Sequence, residues 1–305
     1  MKTLITILGP TASGKTELAC ALAYDIDGEI ISADSRQIYR KMDIGTGKDL
    51  NEYVVNNKPI PYHLIDIRDA GYKYNIYEYQ QDFITAFNNI NSRNKQPILC
   101  GGSGLYIETA LKGNTFLGIP TNDELRQQLY QLSDDELRQE WNKISNHIKS
   151  KLDNNTSKRM IRGIEIHQFI QTHPNWTPPT YPQFNSVIIG VSIDRELRRK
   201  KITQRLSFRL NNGMYEEVEN LLKDGLTFED LAYYGLEYKW IGNYLQGKIT
   251  KKELFDGLNV AIHQFAKRQM TWFRRMEKQG FNINWIDAEL PLKHKVEKVK
   301  QLIIV

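Results

Sequence analysis

Residues Gly9-Pro10-Thr11-Ala12-Ser13-Gly14-Lys15-Thr16 fit the pattern G-x-x-x-x-G-K-[ST] at every fixed position. They stand between the apolar run Leu4-Ile5-Thr6-Ile7-Leu8 and the helix formers of Glu17 to Tyr24. Glycines let the backbone bend so that successive N–H groups point inward, and a helix N-terminus adds partial positive charge. In such a loop Lys15 reaches bound phosphates and the Thr16 hydroxyl can ligate Mg²⁺. Strand, loop and helix in this order commit the chain to an α/β architecture. Whether the phosphates belong to ATP, to GTP or to another diphosphate is left open by the loop.

Other short apolar runs extend the pattern. Glu29-Ile30-Ile31-Ser32-Ala33 ends at Asp34, Pro97-Ile98-Leu99-Cys100 runs into Gly101-Gly102-Ser103-Gly104, and Tyr62 to Ile67 and Ser186 to Val191 read as two more strands. Strands alternating with helical segments predict a parallel sheet covered on both faces by helices. Ligands of such sheets bind at the carboxyl edge, where three polar loops would converge: the phosphate loop, Asp34-Ser35-Arg36-Gln37 and Gly101 to Tyr106. For Asp34 alone, an N-cap on a following helix is an equally good reading.

At roughly 100–200 residues per domain, the 305 residues point to two domains. Between Asn122 and Gln171 no strand is evident, only amphipathic stretches such as Asp123 to Leu132 and Asp134 to Ile148, followed by the Pro-rich 174–182. The expected organisation is a discontinuous α/β core, 1–117 with 185–305, interrupted by a helical insertion, 118–184. The last third reads as helices, with apolar positions at Ile202, Leu206 and Leu210, then at Leu258, Ile262, Phe265, Gln269 and Trp272.

The net charge of +5 is unevenly placed. Residues 195–305 hold 21 Lys+Arg against 14 Asp+Glu, while the first 194 hold 20 against 22. Lys201, Arg205 and Arg209 recur every four residues on one helix face, Ala266 to Arg275 interleaves four cations with Trp272 and Phe273, and Ser157 to Arg162 adds three more. Basic segments with aromatics suit a nucleic-acid backbone and its unstacked bases. A solvated helix face is the plainer account of each segment by itself. Cys20 and Cys100 have no C-x-x-C partner and read as buried apolar residues, and the six histidines form no metal-ligand spacing. No apolar run approaches 18 residues and no leader pattern is seen, so a cytoplasmic protein without membrane contact is expected.

Taken together, these segments resemble the bacterial tRNA dimethylallyltransferases, also called tRNA isopentenyltransferases. The resemblance rests on G-P-T-A-S-G-K-T at 9–16, I-S-A-D-S-R-Q-I-Y-R-K-M-D-I-G-T-G-K at 31–48, Y-H-L-I-D-I at 62–67, G-G-S-G-L-Y at 101–106, K-R-M-I-R at 158–162, R-R-K-K-I-T-Q-R-L at 198–206 and K-R-Q-M-T-W-F-R at 267–274. It implies a P-loop NTPase-like parallel sheet with an inserted all-helical domain that binds tRNA. The implied reaction moves a dimethylallyl group from dimethylallyl diphosphate to N6 of adenine 37 in the anticodon stem-loop, with Mg²⁺ as cofactor.

By the same resemblance Asp34 is the general base, Lys15 and Thr16 contact the diphosphate and its Mg²⁺, and Arg205 lies on the leaving pyrophosphate. Ser103 would stand near the acceptor adenosine and Arg126 would contact tRNA. Asp34, Ser35, Arg36 and Gln37, then Lys158, Arg159, Met160, Ile161 and Arg162, then Lys267, Arg268, Gln269, Thr271, Trp272 and Arg274 would line the RNA. The sequence departs from the family pattern at Gly235-Leu236-Glu237-Tyr238-Lys239, where Glu237 replaces a glycine, and it shows no zinc-finger extension of the eukaryotic kind. Transfer to free adenine nucleotides, ATP-dependent phosphorylation of a small molecule, and an RNA-binding module with a vestigial loop are the competing readings.

Overall fold

The computed structural model describes residues 3–152 and 154–303. In chain order its elements are β1 (Leu4–Leu8), α1 (Lys15–Ile26), β2 (Gly28–Ser32), β3 (Val54–Val55), β4 (Lys58–Pro59), β5 (Tyr62–His63), α2 (Ile76–Ser92), β6 (Gln96–Gly101), α3 (Gly104–Lys112), α4 (Asp123–Tyr130), α5 (Asp134–Lys143), α6 (Asn146–Lys149), α7 (Ser157–Thr172), β7 (Ser186–Ser192), α8 (Arg195–Leu210), α9 (Met214–Lys223), α10 (Phe228–Tyr234), α11 (Leu236–Leu245), α12 (Lys251–Lys278), β8 (Ile283–Asp287) and α13 (Leu292–Ile303). They make two units, one of the chain up to Lys112 and from Gln183 onward, the other Gly113–Pro182.

The first unit is a six-stranded sheet in the order β5-β2-β6-β1-β7-β8, parallel at every pairing. Strand residues alternate between faces, and both faces are apolar because both are covered. Leu4, Leu8, Ile31 and Leu99 pack with Phe83, Ile202, Leu206 and Phe273 on one side. Ile5, Ile7, Ile30 and Ile98 pack with Leu18 and Leu22 of α1 and Val296 and Val299 of α13 on the other. This is the P-loop NTPase-like sheet that the resemblance implied.

Two local expectations are corrected. The strand expected over 62–67 is only Tyr62–His63, because Leu64 and Asp66 take left-handed backbone (φ 62° and 56°) and Asp66 turns to pair with buried Lys48. The last third also contains a strand, β8. As an edge strand with one open side it tolerates Asn284 and Asp287, so Ile-Asn-Trp-Ile-Asp lacks the continuous apolar signature of the buried strands.

In the second unit, side-chain caps define the helices: Asn122 begins α4, Ser133 forms a capping box with Glu136 at α5, Ser145 begins α6 and Thr156 begins α7. The amphipathic stretch 134–148 is therefore two helices, interrupted where Ile144 is extended. Leu137, Trp141, Ile148, Met160, Ile161, Ile164 and Ile166 fill its core. Buried Glu165 accepts both arms of Arg126 (2.7 and 2.9 Å) and one from Arg162 (3.3 Å). The other Arg162 N–H groups cap the carbonyls of Phe116, Ile119 and Pro120.

One glycine in the first unit is required by close approach. A Cβ on Gly101 would lie 2.2 Å from the Ala33 carbonyl oxygen, a backbone atom that cannot rotate away. Gly101→Ala is expected to lower unfolding stability by about 2 kcal/mol or more, read from the urea midpoint; an unshifted midpoint would mean that the Ala33 loop yields freely.

Candidate functional site

The phosphate loop gets its shape from two left-handed residues. Gly14 caps α1 at φ 78°, and Ala12, a residue with a Cβ, sits at φ 63°. The latter costs roughly 1 kcal/mol, and such strain persists where neighbours over-determine the backbone. Here the neighbours are distant in sequence. The Thr11 N–H donates to Gln269 Oε1 of α12 at 2.9 Å, and the Thr11 hydroxyl accepts from Arg205 of α8. The other end of the Gln269 amide donates to the Gly102 carbonyl at 2.9 Å. One buried side chain thus bridges the phosphate loop and the glycine loop.

The loop after β2 is tied to the glycine loop as well. The Ser35 N–H donates to Ser103 Oγ at 3.1 Å, and the Ser103 N–H to the Ala33 carbonyl at 3.1 Å. Asp34 caps no helix: its Oδ1 accepts the Arg36 N–H at 2.9 Å within the loop, and Asp34 lines a cleft. Gln37 donates to the Gly47 carbonyl and accepts from Ser32 Oγ, both at 3.2 Å.

The cleft measures about 710 Å³ and takes walls from Thr11 to Thr16, from Asp34 to Gln37, from Gly45 to Glu52, from α8 and from α12. Lys15, Arg36, Lys201, Arg205, Arg209, Lys239 and Arg268 face four carboxylates, Asp34, Asp49, Glu52 and Glu237. The basic face of α8 is therefore cleft lining, opposite Ile202, Leu206 and Leu210 in the core. Arg209 is neutralised by Asp49, with both oxygens at 2.8 Å. Burial and the neighbouring Arg209 bring Arg205 down to about 10, which leaves it charged at neutral pH. Glu237 enters the cleft beside these arginines, and burial raises its carboxyl against their pull.

The residues expected to face RNA divide. Lys158, Arg159, Lys267, Arg268, Thr271 and Arg274 are exposed, and Arg268 reaches the cleft with Phe265 beneath it. Met160 and Ile161 are corrected to core residues of the helical unit, 3% and 1% exposed. Gln269 lines the cleft but is only 6% exposed, with both amide ends engaged as a clamp between two loops. Arg126 and Arg162 hold Glu165 as described, and Trp272 donates to Glu108 at 3.1 Å under the Arg275 guanidinium. The apolar stripe of α12 is Leu254, Leu258, Ile262, Ala266, Phe273 and Met276, with Phe265 turned out into the cleft.

Asp49 and Glu52, which follow the motif that ends at Lys48, have no counterpart among the site residues expected from the sequence, and Arg209 is expected there only as one cation of a basic helix face. Cys20 and Cys100 are free and buried, and burial pushes the Cys100 thiol up to about 12. Among the described residues, no group of three or more His, Cys, Asp or Glu is arranged to hold a metal ion.

The family model described as IPP transferase matches residues 37–276. The chain is 56% identical over 298 residues to a tRNA dimethylallyltransferase 2 of Bacteroides fragilis, covering 98% of this chain and 97% of that protein. It is 53% identical to a tRNA dimethylallyltransferase 1 of Parabacteroides distasonis, with 98% and 97% covered. A crystal structure of the full-length tRNA isopentenylpyrophosphate transferase of Bacillus halodurans superposes with a TM-score of 0.73 at 29% identity, covering all of this chain and 96% of that one. With a matching family model over most of its length and relatives of this identity, the chain belongs to the IPP transferase family.

Proposed function

We propose that this protein transfers the dimethylallyl group of dimethylallyl diphosphate to N6 of adenine 37 beside the anticodon of a tRNA, releasing pyrophosphate. The observation that carries the reading is a single cleft lined at once by a phosphate loop, by Arg205 and by the carboxylate of Asp34. In the reaction the N6 electron pair forms a bond to the allylic C1 while the bond from C1 to the diphosphate oxygen breaks, its electrons leaving with pyrophosphate. The N6 lone pair is delocalised into the ring, so removal of its proton as the bond forms is worth typically 10²–10⁴ in rate. Asp34 takes that proton. Loop N–H groups, Lys15 and Arg205 hold the negative charge that develops on the leaving group, at roughly 3 kcal/mol per donor lost.

Mg²⁺ fits the donors present. The Thr16 hydroxyl would hold it, and among the described residues the cleft lining offers oxygen donors but no thiol or imidazole. A hard ion that keeps several waters and phosphate oxygens needs few protein ligands. When bound it supplies further positive charge beside the diphosphate.

The acceptor base must leave its stack to reach the allylic carbon, and Phe265 with Arg36, Lys201, Lys239 and Arg268 offers the aromatic and cationic surface suited to an unstacked nucleotide. Within the helical unit, Lys158 and Arg159 are exposed cations. Two free buried thiols support work in a reducing compartment, the cytoplasm.

The direct test is incubation with radiolabelled dimethylallyl diphosphate and an unmodified tRNA bearing adenines at positions 36–38. Label should enter the RNA; label in AMP or ATP instead, or none at all, would sink the reading. Asp34→Asn is expected to abolish transfer with tRNA affinity retained. Arg205→Ala should lower kcat by about 10² and leave tRNA affinity within a few-fold; weakened RNA binding at unchanged kcat would move Arg205 from the leaving group to the RNA backbone.

Gln269→Leu leaves the Thr11 N–H and the Gly102 carbonyl unpaired, at about 1–3 kcal/mol each. It should cost at least tenfold in kcat/KM for dimethylallyl diphosphate with tRNA affinity unchanged. Loss confined to tRNA affinity would return Gln269 to an RNA contact.

A further inference from the structure

The segment Met42–Asp49 belongs to no helix or strand, yet it supplies Gly45, Thr46, Gly47 and Asp49 to the cleft. A stretch of this kind keeps its shape only if its backbone groups find partners. The Gly47 and Lys48 N–H groups close turns onto the Ile44 and Asp43 carbonyls within the segment, and three further N–H groups find one carboxylate outside it. Glu217, on α9 and 172 residues beyond Gly45, accepts the N–H groups of Asp43 (2.8 Å), Ile44 (2.7 Å) and Gly45 (3.0 Å), and also the Tyr238 hydroxyl of α11 (2.8 Å). Lys48, 1% exposed, adds a second hold through the Tyr39 carbonyl (2.6 Å), Asp43 (2.6 Å) and Asp66.

The held segment does more than close one wall. Its Gly47 carbonyl accepts from Gln37 Nε2 at 3.2 Å, Gln37 Oε1 accepts from Ser32 Oγ at 3.2 Å, and Ser32 Oγ accepts the Asp34 N–H at 3.3 Å. The hydrogen bonds thus run without a gap from the wall gripped by Glu217 to the backbone of Asp34. Charged acceptors form the stronger class of hydrogen bond, and a carboxylate taking three successive N–H groups leaves the loop little freedom. A side chain that served only to staple α9 would have no need to grip the cleft lining.

We propose that Glu217 is a positioning residue of the transfer reaction: through the Met42–Asp49 wall, Gln37 and Ser32 it sets the place of Asp34 against the acceptor amine. This rests on the reading of Asp34 as the proton acceptor. The experiment is a single-turnover measurement with labelled dimethylallyl diphosphate and tRNA, both saturating, reporting rate and amplitude separately. Glu217→Gln keeps the shape but puts an amide N–H₂ against backbone N–H donors. Its rate should fall at least tenfold at full amplitude, with tRNA affinity within threefold of the parent. Tyr238→Phe removes the fourth partner and spares the loop, so its rate should stay within threefold.

An unchanged rate in Glu217→Gln, or a loss of amplitude and melting temperature alone, would overturn the proposal and leave Glu217 a fold staple. Equal slowing by Tyr238→Phe would also overturn it, by placing the effect on the packing of α9 against α11. If Glu217→Gln does not fold, Glu217→Asp decides. Its shorter arm retains the charge but loses reach, so at least threefold slowing at full amplitude supports the proposal and the parental rate refutes it. Failure of the parent protein to label tRNA would instead refute the functional reading itself.

Discussion

Parallel strands send all their outgoing loops from one edge, and the whole cleft depends on that constraint. The phosphate loop leaves β1, the Asp34 loop leaves β2 and the glycine loop leaves β6, three adjacent strands in the order β2-β6-β1. Because both faces of the sheet are covered by helices, the carboxyl edge is the natural place for polar loops to meet a ligand. Gly101 lets two of these loops touch, and Gln269 reaches across from α12 to join the third.

The electrostatics of the cleft follow from an unequal distribution of partners. Arg209 is matched by Asp49, and Lys48 lies outside the cleft in its own carboxylate pair. Arg205 instead has a hydroxyl as its hydrogen-bond partner, so its charge stays available to an anion. A half-buried cation held by a hydroxyl rather than a carboxylate carries a desolvation cost that a bound anion would offset. In the helical unit the balance is reversed: Glu165 consumes two arginines to stabilise the helices, so a basic sequence there overstates the charge left for RNA.

Much of this was legible in the residues. The phosphate loop announces itself because its chemistry needs fixed residue types at fixed spacing, and the strands before it and after Asp34 and Gly101 are short apolar runs that only a covered sheet explains. Met160 and Ile161 were misread because a motif string does not say which way each residue of a helix points, and α7 turns those two inward. Gln269 stands in register with Leu258 and Ile262, and what a polar group does at such a buried position is decided by its two distant partners.

The sequence by itself determined the α/β class, the phosphate loop, the helical interruption and the family, since each is written in local pattern or in motifs that keep their order along the chain. Only the tertiary structure decided which cations face the cleft and which are matched, that Gln269 and Glu217 hold loops 167 and 172 residues away, and that the last strand is an edge strand. The physical reason is that burial and hydrogen-bond partnership are properties of chain segments brought together from far apart. Nothing in a residue's immediate neighbours encodes that distance.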